Sequence, residues 1–339
     1  MANRLLWVDN LKATAMILVI AGHCQLVTKV PYLMPAIYAF HMPLFFIISG
    51  FFVKSKPLVG GTDLKLVKYY LATGILIAAY MLIFKDSTLK VEFLRIIWAN
   101  GTPNGWGLFH EMPSIAAIWF LAALFVGRIL FKFILQQNNN MEFSIIGVFK
   151  MPALYVSVLL SIIAIVASKY IRLPLCFLAG INSVFYLFVG NQTKNSGFLK
   201  KIPLWLLLII GIPTLLFNAR YGFTVVSICS YFNGTMGFKG VIGFLSGIVI
   251  SLMVVKLFVK YGNFSSKLLQ FVGQNTLIIL CVHCFMEFFV LKGVKILPQE
   301  AIYFPLELII RLSYTLLITL IVVKIKDYFN SNKKNIVCQ

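Results

Sequence analysis

Charged residues are scarce in this sequence of 339 residues, where they make up 12% of the chain, against roughly 25% in an ordinary soluble domain. Acidic residues are the scarcest, with 10 Asp and Glu against 30 Lys and Arg, so the formal net charge is +20. Hydrophobic residues account for 60% of the chain and the mean hydropathy is +0.92. One compact core cannot bury so many apolar side chains, which excludes a soluble globular protein. The basic residues punctuate apolar runs and form no continuous stripe, so nucleic acid is not an expected partner.

Several functional motifs are also missing. The sequence has no G-x-x-x-x-G-K-[ST] phosphate loop, no G-x-G-x-x-G fingerprint and no internal repeat, which argues against an ATP-driven pump. Its six cysteines show no disulfide-framework spacing. The run Cys281-Val282-His283-Cys284 resembles a metal site but lacks a second ligand pair. These cysteines are interpreted as small apolar groups of a membrane core, and no metal site is predicted.

Ten apolar runs are long enough to cross a bilayer. They cover Leu11–Val27, Tyr32–Val53, Leu66–Phe84, Ile115–Leu135, Met151–Ser168, Leu173–Gly190, Ile202–Phe217, Gly240–Phe258, Thr276–Lys292 and Ile302–Val323. Within a bilayer such runs must be helices, because unpaired backbone groups there cost several kcal/mol each. The predicted fold is therefore an all-α polytopic transmembrane helical bundle of about ten spans. Residues 1–326 are predicted to form the membrane domain and residues 327–339 a short cytoplasmic tail.

The distribution of basic residues predicts the orientation of this bundle. If both termini are cytoplasmic, the inner loops hold about twice as many Lys and Arg as the outer loops, as the positive-inside rule requires. The expected location is the plasma or inner membrane, in contact with its lipids. The longest predicted loop, Lys85–Pro113, then lies outside, and a turn-rich stretch in it contains Trp106. Loops of this length are commonly lids or binding segments.

Ionisable residues within spans are costly and are therefore functional candidates. Lys12 and His23 are eleven residues apart, about three helical turns or roughly 16 Å, so both project from one helix face. Lys12 is expected at the inner end, where it could meet an anionic ligand. His23 is expected deeper in the membrane, and its imidazole, which titrates near neutral pH, is a natural proton acceptor.

Further polar residues are predicted at a depth comparable with that of His23. His41 lies in the second span, His283 and Glu287 lie one turn apart in the ninth, and Glu307 and Arg311 could pair in the tenth. This convergence indicates a polar cavity that contains three of the four histidines. The alternative is a polar network that serves packing alone.

At these positions the sequence resembles integral-membrane acyltransferase family 3, and within it the branch that is similar to fucose 4-O-acetylases. The resemblance is carried by Arg4-Leu5-Leu6-Trp7-Val8-Asp9-Asn10-Leu11-Lys12, Ala21-Gly22-His23, Phe40-His41-Met42-Pro43-Leu44-Phe45-Phe46, Ser49-Gly50-Phe51, Ile118-Trp119-Phe120-Leu121, and Gly273-Gln274-Asn275-Thr276 followed by His283. The family's Arg-x10-His motif falls on Lys12 and His23. Lysine keeps the positive charge at the first position but lacks the planar fork of arginine.

The resemblance implies transfer of an acyl group, usually acetyl from acetyl-CoA, to a sugar hydroxyl of a surface polysaccharide or its lipid-linked precursor. Acyl-CoA is then a donor substrate, and no permanently bound cofactor is expected. His23 is the predicted general base, with His283 or His41 as its orienting partner or oxyanion donor, and Glu287 completes the catalytic set.

Other residues are assigned to binding on the same basis. Asp9 and Lys12 are placed at the cytoplasmic mouth, and Lys65 and Lys68 are candidates for the CoA phosphates, although both lysines also fit the ordinary positive-inside signal. The candidates for contact with the acceptor sugar are Arg311, Trp119, Trp106, Asn275 and Tyr38. An interfacial aromatic belt is the alternative for Trp106.

A second hypothesis comes from a different class of protein. The histidine, glutamate and arginine set could relay protons in a transporter or flippase for a glycan or an acyl donor. Activity that collapses with the proton gradient would favour this alternative, whereas a need for acyl-CoA with release of free CoA would favour the acyltransferase.

Overall fold

The computed structural model describes the backbone of residues 5–101, 108–109, 111–139, 144–145, 149–150, 153–168, 170–195, 197–221, 237–294 and 297–337. Within these ranges, the side chains of residues 138–139, 144–145, 149–150, 198, 237–242, 286–294 and 332–337 are outside the description.

Fourteen α-helices are present in the described residues. They are α1 (Leu6–Gly22), α2 (Leu33–Tyr38), α3 (His41–Phe51), α4 (Gly61–Phe84), α5 (Leu89–Trp98), α6 (Trp119–Asn139), α7 (Ala153–Ala167), α8 (Phe177–Asn195), α9 (Phe198–Lys201), α10 (Leu204–Tyr221), α11 (Gly237–Tyr261), α12 (Lys267–Gln274), α13 (Thr276–Val294) and α14 (Phe304–Val337). Short 3-10 segments cover Gln25–Lys29, Ala116–Ile118, Pro174–Cys176 and Ala301–Tyr303. Two short strands, β1 (Ser144–Ile145) and β2 (Phe149–Lys150), pair antiparallel, with Ser144 opposite Lys150.

The all-α fold predicted from the sequence is confirmed, and each of the ten apolar runs is largely helical. Among the described residues, seven helices are long and apolar enough to cross a membrane, with α2 and α3 counted as one; the bent pair of α12 and α13 gives an eighth. The predicted count of about ten exceeds this number because α1 and α7 have only 17 and 15 residues. Hydropathy alone does not locate such early helix ends. The cytoplasmic placement of both termini stays a prediction.

Two breaks in the spans position the residues of interest. The second span is interrupted at Ala39-Phe40, between α2 and α3. Pro43 lies in the first turn of α3, where its missing N–H needs no helical partner. The second break, at Asn275, bends α12 against α13 by 76°, and the Asn275 side-chain amide donates to the Phe271 carbonyl at 2.9 Å.

Small residues allow the central helices to pack closely. α8 lies against α3, α6 and α7. A Cβ added to Gly50 would lie 2.1 Å from the Leu187 carbonyl oxygen, and one added to Gly190 would lie 1.9 Å from that of Ile47. The α3 and α8 backbones therefore touch at two glycines, as is common where membrane helices cross. In contrast, α14 packs on α13 and α1 and exposes most of its apolar side chains.

The predicted outer loop Lys85–Pro113 is partly helical, since α5 occupies its first half. The Thr88 hydroxyl caps this helix by accepting from the Val91 N–H at 3.4 Å. The Tyr70 hydroxyl donates to the Ile96 carbonyl, so α5 is fastened to α4. Residues 102–107, and with them Trp106, lie outside the described residues.

Candidate active site

A cavity of about 850 Å³ lies between α1, α3, α4, α6 and the α12–α13 bend. Charged side chains line one part of it, namely Asp9, Lys12, Lys65, Lys68, Arg128 and Lys326. A second part is lined by His23, Tyr38, His41, Gly101 and Trp119. Lys12 and His23 therefore line the same cavity at positions separated by about 16 Å along α1. The donor-binding set predicted from the sequence, Asp9, Lys12, Lys65 and Lys68, is brought together here.

Three histidines and a tyrosine form a cluster of rings at the second part of the cavity. The ring centroids of His23 and His283 are 5.2 Å apart in an edge-to-face arrangement, and those of Tyr38 and His41 are 4.9 Å apart. Tyr38 links the two pairs, with its ring centroid 6.5 Å from that of His23. His283 is fully buried behind His23. This grouping follows from four different helix segments and places two imidazoles, His23 and His41, on the cavity wall.

The hydrogen bond of His41 determines which ring nitrogen carries the proton. Its Nδ1 lies 2.9 Å from the carbonyl oxygen of Ile37, which is one turn earlier, beyond the helix break. A carbonyl oxygen only accepts, so Nδ1 must be the donor and Nε2 of the neutral ring is left as an acceptor. His41 therefore presents a lone pair, whereas an oxyanion needs a donor.

His23 lies at the end of α1, where it is the C-terminal cap residue. The sequence prediction extended this span to Val27, but the helix ends at Gly22 and a 3-10 segment follows. The Tyr38 hydroxyl donates to the Gly22 carbonyl at 3.1 Å, which fastens this helix end to α2.

Close packing between α1 and α12 shapes one wall of the cavity. A Cβ added to Gly273 would lie 2.0 Å from the Asp9 carbonyl oxygen, so only glycine allows this approach. The Asn10 side-chain amide donates to the carbonyls of Gly262 and Phe264, each at 2.8 Å. Asn275, at the bend, lines the cavity as a result.

Some predicted residues are placed elsewhere. Arg311 is not among the described residues that line the cavity; its Nε donates to Glu307 at 2.8 Å. Glu287 lies in α13, but its side chain is outside the description, as is Trp106. Trp119 lines the cavity, and a Cβ on Gly101 would meet its ring at 2.6 Å.

The metal-like cysteine run has no ligand set in the described part of the chain. Cys281 and Cys284 are both buried. No group of three His, Cys, Asp or Glu side chains able to hold a metal ion occurs among the described residues.

The cavity joins a cationic mouth to a cluster of imidazoles inside a helical membrane bundle. A family model described as an acyltransferase domain matches residues 5–324. The chain belongs to acyltransferase family 3. It is thus a membrane acyltransferase. No curated protein and no solved structure gives a significant match.

One charged group beside the acyltransferase cavity was not identified from the sequence, namely the pairing of Asp63 with Arg128 and Lys132. Asp63 is fully buried and accepts hydrogen bonds from both of these cations, at 2.7 Å from Arg128 Nε. Its Oδ2 also caps α4 by accepting from the Gly60 N–H at 2.8 Å. Arg128 Nη1 reaches the Ser49 hydroxyl at 3.0 Å and lines the cavity. The only available signal was an acidic residue at the start of an apolar run.

Proposed function

We propose that this acyltransferase is an O-acyltransferase that moves an acyl group, namely acetyl, from acyl-CoA to a sugar hydroxyl. The acceptor is a cell-surface polysaccharide or its lipid-linked precursor, as the resemblance to the fucose 4-O-acetylase-like branch implies, and the enzyme resides in the plasma or inner membrane. The observation that carries the proposal is the continuity of one cavity from the lysines to the histidines.

The cationic mouth is suited to the phosphates of CoA. Lys12, Lys65 and Lys68 line it, and Arg128, which is paired with Asp63, lies at the same cavity. The separation of Lys12 from His23, roughly 16 Å, is spanned by an extended pantetheine arm. The thioester would then lie beside the imidazoles while the phosphates stay at the mouth.

The transfer requires a base and a stabilised oxyanion. His23 takes the proton of the sugar hydroxyl as its oxygen attacks the thioester carbonyl carbon. The carbon–sulfur bond then breaks, and the departing thiolate takes the proton from His23 to give free CoA. His283, in edge contact with His23, is the better candidate for orienting it, since the acceptor lone pair on His41 Nε2 suits a contact to the sugar hydroxyl.

The test uses purified protein in lipid nanodiscs with acetyl-CoA, a sugar acceptor and a thiol reagent that titrates released CoA. CoA release that requires both substrates supports the proposal. NMR of the surface glycan from cells with the intact, deleted and His23→Ala gene then locates the O-acyl group. Equal acylation in all three, with less glycan at the surface after deletion and sensitivity to proton-gradient collapse, would favour the transporter alternative.

Replacing Lys12 tests the donor end of the cavity. We expect Lys12→Ala to raise the KM for acyl-CoA about 10- to 100-fold, because a hydrogen bond to a charged phosphate is worth about 1.5–3 kcal/mol. Lys12→Arg keeps the charge and should stay within a few-fold of wild type. Initial rates at varied acyl-CoA measure both effects.

Lys54→Ala is the matched control, since Lys54 is an exposed lysine that is not among the described cavity-lining residues. An equal rise in the KM for acyl-CoA in Lys12→Arg and Lys12→Ala would indicate that Lys12 contributes to the shape of the site or to membrane insertion, and that it does not bind the donor through its charge. An equal rise in KM for Lys54→Ala would instead indicate a general effect of surface charge.

A further inference from the structure

The chain that follows His23 is held by a carboxylate from a distant helix. Glu307 of α14 accepts hydrogen bonds from the backbone N–H groups of Gln25, at 2.7 Å, and Leu26, at 2.8 Å. These are the first residues of the 3-10 segment Gln25–Lys29. N–H groups at the start of a helical segment have no partner within it. Glu307 therefore caps this segment from 281 residues away in sequence.

The carboxylate is itself fixed by Arg311. Arg311 Nε donates to Glu307 Oε1 at 2.8 Å, and both residues are fully buried. A buried carboxylate is tolerated when charge and hydrogen bonds compensate it, and Glu307 has three donors. Arg311 Nη1 and Nη2, by contrast, have no hydrogen-bond partner among the described residues. A buried ion pair with such unused donors contributes little net stability, which favours a role in positioning.

We call the hydrogen bonds from the Gln25 and Leu26 amides to Glu307 the clamp. A second anchor holds the backbone on the other side of His23. The Gly22 carbonyl is held by the Tyr38 hydroxyl, and the Gln25 and Leu26 amides are held by Glu307. His23 and Cys24 lie between these two anchors, at the point where the helical hydrogen bonds of α1 end. The α1 helix alone does not fix the direction of the His23 ring.

From this geometry we infer that Glu307, oriented by Arg311, is a positioning residue. By holding the backbone after His23, it sets the position and orientation of the His23 imidazole relative to His283 and to the cavity. The inference rests on the proposed role of His23 as general base. Arg311, predicted from the sequence to contact the acceptor sugar, thereby acts on the reaction through Glu307. A displacement of about 1 Å at a catalytic group can lower the rate about 100-fold, so a backbone clamp at this place controls turnover.

Glu307→Gln tests the clamp with little change in volume. The amide retains one acceptor oxygen and turns an NH2 group toward the other backbone N–H, so one anchor is lost. We expect kcat to fall about 10- to 100-fold. The KM for acyl-CoA should stay within about twofold, because Lys12 at the mouth lies roughly 16 Å from His23 along α1. Glu300→Gln, at an exposed glutamate that precedes the 3-10 segment Ala301–Tyr303, is the matched control.

The single variant Glu307→Gln leaves the buried Arg311 guanidinium without a counter-charge. The double variant Glu307→Gln/Arg311→Met removes that guanidinium, so any remaining loss of activity comes from the lost clamp and not from charge imbalance. Because the clamp positions His23, we expect the double variant to fold as the wild-type protein does and its kcat to stay low. Recovery of kcat in the double variant would overturn the inference, as would an unchanged kcat in Glu307→Gln. A parallel loss of donor affinity and thermal stability, with no separate effect on kcat, would also overturn it.

A measurement without turnover distinguishes this inference from the proposed function. Diethyl pyrocarbonate modifies unprotonated imidazoles, and His23 lines the cavity. Mass spectrometry of the substrate-free protein should show a changed rate of His23 modification in Glu307→Gln and an unchanged rate in Glu300→Gln. Equal rates in both variants would contradict the clamp. Absence of acyl transfer by the wild-type protein would contradict the proposed function and leave this labelling test in force.

Discussion

We expect His23→Ala to lower the rate of acyl transfer about 10²- to 10⁴-fold, the range that a positioned general base contributes. Alanine removes the proton acceptor on the cavity wall and leaves His283 without its ring partner 5.2 Å away. The cationic mouth is unchanged, so acyl-CoA should bind with near wild-type affinity. Release of free CoA, followed with purified protein in nanodiscs, measures the rate, and a labelled donor analogue measures binding.

Cys24→Ala provides the control for local disturbance at the end of α1. Cys24 is buried next to His23, and its thiol donates to the Ile20 carbonyl at 3.5 Å. We expect this variant to keep nearly full activity. A His23→Ala protein that inserts normally and still transfers acyl groups at a near-normal rate would remove His23 from the mechanism and leave His41, with its acceptor Nε2, as the candidate base.

The second large effect is expected on stability. Asp63→Asn should lower the free energy of unfolding by about 3–5 kcal/mol, the cost of removing one partner from a buried ion pair. Arg128 and Lys132 are both buried and both bind the Asp63 carboxylate. Asparagine leaves these two cations without a counter-charge. Thermal unfolding in detergent, read by the loss of monomeric protein in size-exclusion chromatography, should show a marked fall in the midpoint temperature.

Asp86→Asn is the matched control, because Asp86 is exposed and lies beyond the end of α4. This substitution also replaces a carboxylate with an amide, and we expect a change of less than about 0.5 kcal/mol. Equal stability of Asp63→Asn and Asp86→Asn would show that the two cations find other partners, such as the carbonyls of Pro57 and Leu58 that Lys132 already contacts.

The helices could be predicted from the sequence because apolar runs of this length have few alternatives in a bilayer. The positions at which the helices end could not be predicted from the sequence. His23 was expected within the first span, yet it caps α1, since helix termination at Gly22 depends on contacts to α2 and α14. The bend at Asn275 and the amphipathic α12 before it were also missed, because the predicted span began only at Thr276.

The site was predicted in part for a similar reason. The spacing of eleven positions from Lys12 to His23 places both on one helix face by periodicity alone, and both line the cavity. Contacts between distant segments follow no such rule. Asp63 meets Arg128 across 65 residues, and Glu307 meets Leu26 across 281 residues, so only the packed structure brings them together. The sequence paired Glu307 with Arg311 by their spacing, but it gave no sign that the pair holds the backbone beside His23.

The charges that line the cavity also affect how easily cations cross the membrane at this point. A hydrated cavity thins the low-dielectric layer that separates the two compartments, and such a place is prone to leak protons and metal ions. Among the described residues that line the cavity, five are lysine or arginine and one is aspartate. Their summed positive potential repels cations, as fixed positive charge does in water channels. We therefore expect this excess of positive charge to oppose the entry of protons and metal ions into the cavity.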